Sequence, residues 1–275
     1  MAKMTLRQLQ TQLASTTSTW RAGATSVSGL SEAEQARRLG LSVKEEEMRR
    51  VQARLGAARP PSAFSFSPAR DWRNKDGVNW TTPIRDQGNC GSCVAFATVA
   101  TIEAKTRIQE RKADWPLDLS EADLFFCGAG KKCNEGWWPP DALDYAKTKG
   151  VSDETCFPYQ DHDIDCQTCA DRPDRLLQVT EYEEVVEPNA RKEFIDKTGP
   201  MVACMAVYQD FFYYKDGVYK HPRGADFTFR ANVVEGRKVP DHVQYRLYFT
   251  DRGARSQMWN FPDRDYMSKI GQRQY

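Results

Sequence analysis

The sequence DQGNCGSCVAF occupies residues 86–96 and decides the fold of this chain. Cys93 closes a glycine-rich loop there and opens an apolar stretch. Apolar residues then recur at helical spacing, at Ala95, Val99 and Ile102. A helix N-terminus favours thiolate over thiol, and a small neighbour such as Gly91 leaves the sulfur open to a carbonyl group. The stretch therefore predicts a helix from Cys93 to about Arg111 with a nucleophilic thiol at its start.

Cys90 and Cys93 also form a Cys-x-x-Cys pair, a pattern found in zinc and redox sites. A zinc site needs a second pair, and Cys166 and Cys169 offer one. The interval between the two pairs is much longer than in zinc-binding motifs, and no thioredoxin-like βαβ pattern surrounds the first pair. The sequence therefore favours a nucleophile over a metal or redox site.

Composition excludes several classes of partner. The chain has 275 residues, which suits one or two domains, and Lys+Arg of 39 against Asp+Glu of 38 gives a net charge of +1. Such a balance predicts neither nucleic-acid binding nor a polybasic membrane patch. No apolar run approaches the roughly 18 residues of a membrane span. We therefore expect no nucleic-acid partner and no membrane partner.

Two observations on the cellular compartment disagree. The first 30 residues lack the hydrophobic core of a signal peptide, so either the chain is not exported or its signal is missing from this sequence. The chain nevertheless carries eight cysteines, which fits an oxidising compartment better. The cysteine count carries more weight, so we expect a secreted or a lysosome- or vacuole-like protein, with a cytoplasmic location as the alternative.

The composition changes near Pro60 and Pro61. Residues 1 to about 60 are polar and cysteine-free, with charges at helical spacing over 31–38 and 45–55. Residues 62–68 read as an extended linker. The sequence therefore predicts two parts, an N-terminal extension over 1–64 and a main domain over 65–275.

Helices precede strands in the main domain. A second helix is predicted over about 141–149, with Pro140 at its start and Gly150 after its end. Residues 176–186 and 201–207 have the β-branched and apolar content of strands, and 191–197 reads as a short helix between them. This order predicts an α+β body with a helical lobe, a sheet lobe and a cleft between them.

Residues 71–97 resemble the entry to the papain-like cysteine peptidases, whose local signature is Cys-Gly-[Ser/Ala]-Cys followed by Trp or Tyr. Val94 departs from the last position of that signature. The resemblance implies a papain-like two-lobe fold, a helical lobe plus an antiparallel sheet lobe. It also implies that Cys93 is the nucleophile and that its backbone N–H and the Gln87 side-chain amide stabilise the oxyanion.

The resemblance continues on both sides of this stretch. Residues 119–124, 133–137, 157–159, 199–202 and 210–219 follow the family's order. Gly136 stands where the family's backbone pairs with an extended substrate, and Glu135 replaces the preceding glycine. Trp137 is a further candidate for substrate binding, with core or surface packing as the alternative. Residues 19–23, 30–32 and 38–40 resemble the short, partly helical prosegment of cathepsin B-type enzymes, which makes 1–64 a propeptide-like segment.

The family likeness also implies disulfide bonds. Cys90 pairs with Cys133, Cys127 pairs with either Cys166 or Cys169, and Cys156 takes the remaining one. Cys204 lies in an apolar stretch and is expected to be a buried free thiol.

The general base must come from three histidines. His162 lies in a polar loop between cysteines and His221 reads as a surface residue, so His242 is the candidate. Asn260 follows it at a plausible interval for the residue that orients the imidazole. Residues 222–275 are otherwise atypical, since the family's Asn-Ser-Trp-Gly is Asn-Phe-Pro-Asp here.

These features predict a thiol peptidase that is made as a zymogen and hydrolyses polypeptide substrates through a Cys-His-Asn mechanism. The mechanism needs no metal and no cofactor, and a monomer is expected. The alternative is a catalytically impaired papain-like protein that binds a peptide or a partner through its cleft. Val94 and the atypical residues 222–275 are the observations that favour it.

Overall fold

The central helix begins at Cys93 and ends at Glu110, one residue short of its predicted end. The computed structural model describes residues 5–42, 46, 65–185, 188–204 and 207–220. The backbone turns left-handed at Arg111, where φ is 55°, and this conformation ends the helix. Residues 91–99 are all buried, so the first turns of this helix lie inside the protein.

A helical lobe packs around the central helix. A second helix runs from Pro139 to Thr148, beginning two residues earlier than predicted because proline suits a first helical turn. A π-helical segment, Asp123–Ala129, lies between these two helices in the chain. The first hydrophobic cluster joins these elements, and its buried members include Leu119, Leu124, Phe125, Trp137, Ala142, Val151 and Phe157.

The N-terminal segment, residues 5–42, packs against residues 207–220. It contains two helices, Leu6–Ala14 and Glu32–Arg37, and each begins with a capping box. Its strand Trp20–Ala22 pairs antiparallel with Tyr214–Gly217. The second hydrophobic cluster closes this interface, with Leu9, Leu13, Trp20, Val27, Leu39, Val207, Phe212, Tyr214 and Tyr219 buried in it. The segment is therefore held against residues 207–220 by both a strand pair and a buried apolar interface.

The end of the N-terminal segment crosses from one cluster to the other. Leu39 belongs to the second cluster and Leu41 to the first, and both are buried. Residues 38–42 therefore occupy the cleft between the two clusters.

The strand predicted over 176–186 is mostly wrong. Only Leu176–Leu177 forms a strand, which pairs antiparallel with Val151–Ser152. Beyond this pair the Val179 N–H binds the Ala146 carbonyl of the second helix at 3.1 Å instead of a strand partner. Residues 178–185 have no regular secondary structure, and neither do the described residues 201–204 of the other predicted strand.

The remaining elements are short. A helix spans Pro188–Lys197, slightly longer than the predicted 191–197. Three 3-10 helices cover Trp72–Asn74, Arg172–Arg175 and Gln209–Tyr213. The predicted helix over 45–55 falls, apart from residue 46, outside the described residues. Among the described residues, no helix is both long and apolar enough to cross a membrane.

Six cysteines are joined in pairs. The structure links Cys90 to Cys133, Cys127 to Cys166, and Cys156 to Cys169. Three of the four cysteines considered above as zinc ligands are thus bonded to other cysteines, which leaves no Cys₄ zinc site. The three disulfides fit an oxidising compartment.

A buried carboxyl on the central helix makes stability depend on pH. Glu103 is 4% exposed, and its Oε1 accepts the Leu119 N–H at 2.7 Å. Burial raises the pKa of Glu103 to about 7. A raised pKa stabilises the fold fully below the unfolded-state value of about 4.5, and this stabilisation is lost as pH rises through about 7.

We therefore expect Glu103→Gln to make the free energy of unfolding less dependent on pH. Urea unfolding of the full chain at pH 5 and pH 8 should show a difference smaller by about 2–3 kcal/mol in the variant. Glu183→Gln, at an exposed position, is the matched control and should keep the wild-type difference. An unchanged pH dependence in Glu103→Gln would contradict this assignment.

Candidate active site

Cys93 lies at the first position of the central helix and is not in a disulfide. Its side chain is 1% exposed. This burial raises the pKa of the thiol to about 12, while hydrogen bonds from the Gly40, Val94 and Cys93 backbone N–H groups favour the thiolate. The helix start therefore supplies donors for an anionic sulfur, and only desolvation keeps the thiol protonated.

The loop before Cys93 is clamped by its neighbouring cysteine. Cys90 is bonded to Cys133, and the Gly91 N–H donates to the Cys133 carbonyl at 2.7 Å. A Cβ at Gly91 would lie 2.6 Å from that carbonyl oxygen, so the close approach requires glycine. Cys90 thus fixes the loop, and Cys93 keeps the free thiol.

Gln87 is buried beside this loop and points its amide inward. Its Nε2 donates to the Cys90 carbonyl at 2.7 Å and to the Arg38 carbonyl at 3.1 Å. Its Oε1 has no hydrogen-bond partner among the described residues. The amide already donates to a carbonyl oxygen of the N-terminal segment, as an oxyanion donor would donate to the oxygen of a substrate carbonyl.

The N-terminal segment lies directly on the thiol. The Gly40 N–H donates to the Cys93 Sγ at 3.3 Å. The Gly40 carbonyl accepts the Trp137 N–H at 2.8 Å, and the Ser42 N–H donates to the Trp137 carbonyl at 2.9 Å. Leu41 and Trp137 form a parallel bridge. Residues 40–42 are therefore held beside Trp137 in the cleft by backbone hydrogen bonds.

Glycines make this approach possible. A Cβ at Gly40 would lie 1.7 Å from the Gly91 carbonyl oxygen, and a Cβ at Gly136 would lie 2.5 Å from the Gly40 carbonyl oxygen. Gly136 also has a φ of 66°, which side chains rarely adopt. Three glycines from distant parts of the chain thus allow three backbones to meet beside the sulfur.

The structure brings four of the predicted site residues together. Cys93, Gln87, Gly136 and Trp137 all contact residues 38–42. Trp137 is also 6% exposed and part of the first cluster, so it packs in the core as well. His242 and Asn260 lie outside the described residues, as does His221. His162 is exposed, as expected of a solvated loop residue.

Two contributors to the site were not predicted as site residues. Gly40 contacts the sulfur, and the Tyr159 hydroxyl contacts the loop before Cys93. Both lie in stretches that resemble the family, but only the tertiary structure brings them to Cys93. Cys204 is the second free thiol; it is half-buried and packs against the first cluster.

Comparisons with known proteins show which family this chain resembles. The family model described as papain family cysteine protease matches residues 66–237. Chymopapain from Carica papaya is 32% identical over 206 residues, covering 74% of this chain and 54% of chymopapain. Cathepsin B-like cysteine proteinase 2 from Haemonchus contortus is 31% identical over 223 residues, covering 68% of this chain and 61% of the relative. The chain therefore spans little more than half the length of these curated relatives.

The fold also resembles solved precursor structures. Procathepsin B S9 from Trypanosoma congolense superposes with a TM-score of 0.62 at 22% sequence identity. The superposition covers 84% of this chain and 80% of the procathepsin chain. This likeness supports an α+β papain-like fold with an N-terminal segment included.

Proposed function

This chain belongs to the papain family of cysteine proteases, and from that premise we propose that it is a thiol peptidase made as a zymogen. Residues 1–64 form the prosegment and residues 65–275 the peptidase domain. The substrates are polypeptides, and the compartment is secreted or lysosome- or vacuole-like. Cys93 is the nucleophile, and Gln87 is an oxyanion donor.

The observation that carries this proposal is the hydrogen bond from the Gly40 N–H to the Cys93 Sγ at 3.3 Å. An amide N–H rather than a carbonyl carbon faces the sulfur there, so the thiol has no electrophile to attack. The Gln87 amide is occupied as well, because it binds the Arg38 carbonyl. The proposed nucleophile and the proposed oxyanion donor are therefore covered by the same few residues of the N-terminal segment.

Release of the prosegment changes the chemistry of Cys93. Burial is the main cause of its raised pKa, and the backbone N–H groups of Val94 and Cys93 favour the thiolate. Water that enters the cleft after release removes the desolvation penalty and leaves these donors in place. The freed thiol is thereby poised to ionise.

The proposed reaction has two steps. The Cys93 thiolate adds to the scissile carbonyl carbon, and the oxyanion is held by the Gln87 amide and the Cys93 N–H. His242, oriented by Asn260, gives a proton to the leaving amine, and a thioester remains. Water then attacks the thioester while His242 takes its proton, which releases the carboxylic acid and restores the thiolate. The roles of His242 and Asn260 rest on their sequence pattern.

A second candidate is a papain-like protein that binds peptides without cleaving them. Two observations favour it: Val94 stands where the family has an aromatic residue, and the family match ends at residue 237, before His242. In such a protein the cleft between the two clusters still accepts an extended peptide, but no imidazole reaches Cys93.

Controlled release of the prosegment tests the proposal. A site for a sequence-specific protease is inserted after Arg59, and the folded chain is cleaved and cleared of the released segment by chromatography. We expect hydrolysis of fluorogenic dipeptidyl amides to appear, and iodoacetamide to abolish it through an adduct that maps to Cys93. Cys204→Ala is the matched thiol control and should keep both results. A cleaved chain that binds peptides but hydrolyses none would favour the second candidate.

A further inference from the structure

The hydroxyl of Tyr159 lies between the two halves of the proposed catalytic centre. It is 2.6 Å from the Oγ of Ser92, the residue directly before the nucleophile. It also donates to the backbone carbonyl of Gln87 at 2.8 Å. The hydroxyl oxygen of Tyr159 thus contacts both the residue before Cys93 and the backbone of Gln87.

The number of protons fixes the direction of both hydrogen bonds. A phenol carries one proton, and the Gln87 carbonyl can only accept. Since Tyr159 donates to that carbonyl, the Ser92 hydroxyl must donate to the Tyr159 oxygen. The two hydrogen bonds therefore run in one direction, from Ser92 to Tyr159 and from Tyr159 to Gln87. Burial raises the pKa of the Tyr159 phenol above its ordinary value, so the phenol keeps the proton that it donates to Gln87.

The ring of Tyr159 is itself held in place. It meets Phe96 edge-on, with ring centroids 4.7 Å apart and planes at 89°, and it stacks on Phe126 at 6.4 Å. Phe96 lies on the central helix one turn after Cys93. The Tyr159 N–H donates to the Glu154 carboxylate at 2.8 Å. The hydroxyl is therefore presented from a fixed ring.

The same short stretch holds the loop at a second point. The Asp161 Oδ2 accepts the Asn89 N–H at 3.1 Å. A Cβ at Gly88 would lie 2.3 Å from that oxygen, so the loop and Asp161 are in close contact. Residues 159–161 thus bind the loop between Gln87 and Ser92 along most of its length.

We propose that Tyr159 is a positioning residue that sets the distance between the Cys93 sulfur and the Gln87 amide. This inference rests on the proposed function and assigns Tyr159 a part in it. Oxyanion donors act only when they lie within about 3 Å of the developing charge, so a small shift of Gln87 relative to Cys93 reduces the rate. In this role Tyr159 acts through Ser92 and Gln87.

Tyr159→Phe tests this role because it removes the hydroxyl and keeps the ring. The full chain is folded, cleaved after Arg59 as above, and measured in two reactions. Hydrolysis of a dipeptidyl amide forms an oxyanion, whereas alkylation of Cys93 by iodoacetamide forms none. We expect kcat to fall about tenfold with little change in KM, and the alkylation rate to stay within about twofold of wild type.

Two variants serve as controls. Tyr145→Phe also removes a phenol hydrogen bond, to Asp123 at 3.2 Å, but away from Cys93, and it should leave the ratio of hydrolysis to alkylation unchanged. Ser92→Ala removes the hydrogen bond between Ser92 and Tyr159. Its effect on kcat should be less than additive with that of Tyr159→Phe.

The outcomes separate this inference from the proposed function. Equal losses of hydrolysis and alkylation in Tyr159→Phe, or no loss of either, with an active wild type would contradict the positioning role alone. A cleaved wild-type chain with no hydrolysis would contradict the proposed function and this role with it.

Discussion

The Gly40→Val variant is expected to expose the Cys93 thiol and to raise its alkylation rate at pH 7 by about 10³-fold. The first atom of the new side chain would lie 1.7 Å from the Gly91 carbonyl oxygen, and neither backbone can yield easily. Gly91 is held by its bond to Cys133, so the N-terminal segment must move. The Gly40 hydrogen bond to the sulfur is then lost, and water reaches the thiol.

The magnitude follows from the pKa of Cys93. Burial raises that pKa from 9.0 to about 12, and the thiolate is the reactive form. Each unit by which the pKa falls back gives about tenfold more thiolate at pH 7, so loss of the desolvation gives about 10³-fold. The measurement is the rate of iodoacetamide incorporation at Cys93 in the uncleaved chain.

Gly29→Val provides the matched control for this variant. Gly29 lies in the same N-terminal segment, and a Cβ there meets nothing within 4 Å. Its alkylation rate should equal that of wild type. If Gly40→Val reacted as slowly as Gly29→Val, the segment would not be what covers Cys93, and the zymogen proposal would lose its main support.

The Gln87→Ala variant of the cleaved chain is expected to lower kcat by about 10²–10³-fold, the usual cost of losing one oxyanion donor. The amide that now binds the Arg38 carbonyl at 3.1 Å would bind the oxyanion after release. Alkylation of Cys93 should change far less, because no oxyanion forms in that reaction. Steady-state kinetics of hydrolysis and the rate of Cys93 alkylation, both measured on the same sample, give the two effects.

Gln178→Ala tests whether the loss is specific to the site. The Gln178 amide also donates to a backbone carbonyl, that of Lys147 at 2.7 Å, but it lies on the surface of the helical lobe. It should keep the wild-type kcat. If Gln87→Ala hydrolysed its substrate as fast as Gln178→Ala, Gln87 would not be an oxyanion donor.

The parts of the fold that depend on local sequence were predictable. The central helix follows from apolar residues at helical spacing, and its end at Glu110 lies within one residue of the prediction. The strand over 176–186 was not predictable in this way. Its composition suits a strand, but a strand also needs a partner, and the Val179 N–H binds a helix carbonyl instead.

In the candidate site too, only the residues that lie close together in the sequence could be predicted. Gln87 and Cys93 are six positions apart in one loop, so their spacing alone indicates a shared role. Gly40 and Tyr159 reach that loop from more than 50 residues away on either side, and no local pattern encodes such a meeting. Position 40 requires glycine because the carbonyl of Gly91 lies against it, and this contact cannot be read from the sequence.

The pH dependence of Cys93 alkylation in the cleaved chain, freed of its prosegment, tests the central claim most directly. A nucleophile supported by the helix N-terminus and by an imidazole reacts with an apparent pKa well below the ordinary value of about 8.5, and the same sample hydrolyses dipeptidyl amides. We predict rapid alkylation already at about pH 5–6. Reaction that rises only through about pH 8.5, with no hydrolysis, would show an ordinary thiol and contradict the claim that Cys93 is the nucleophile of a peptidase.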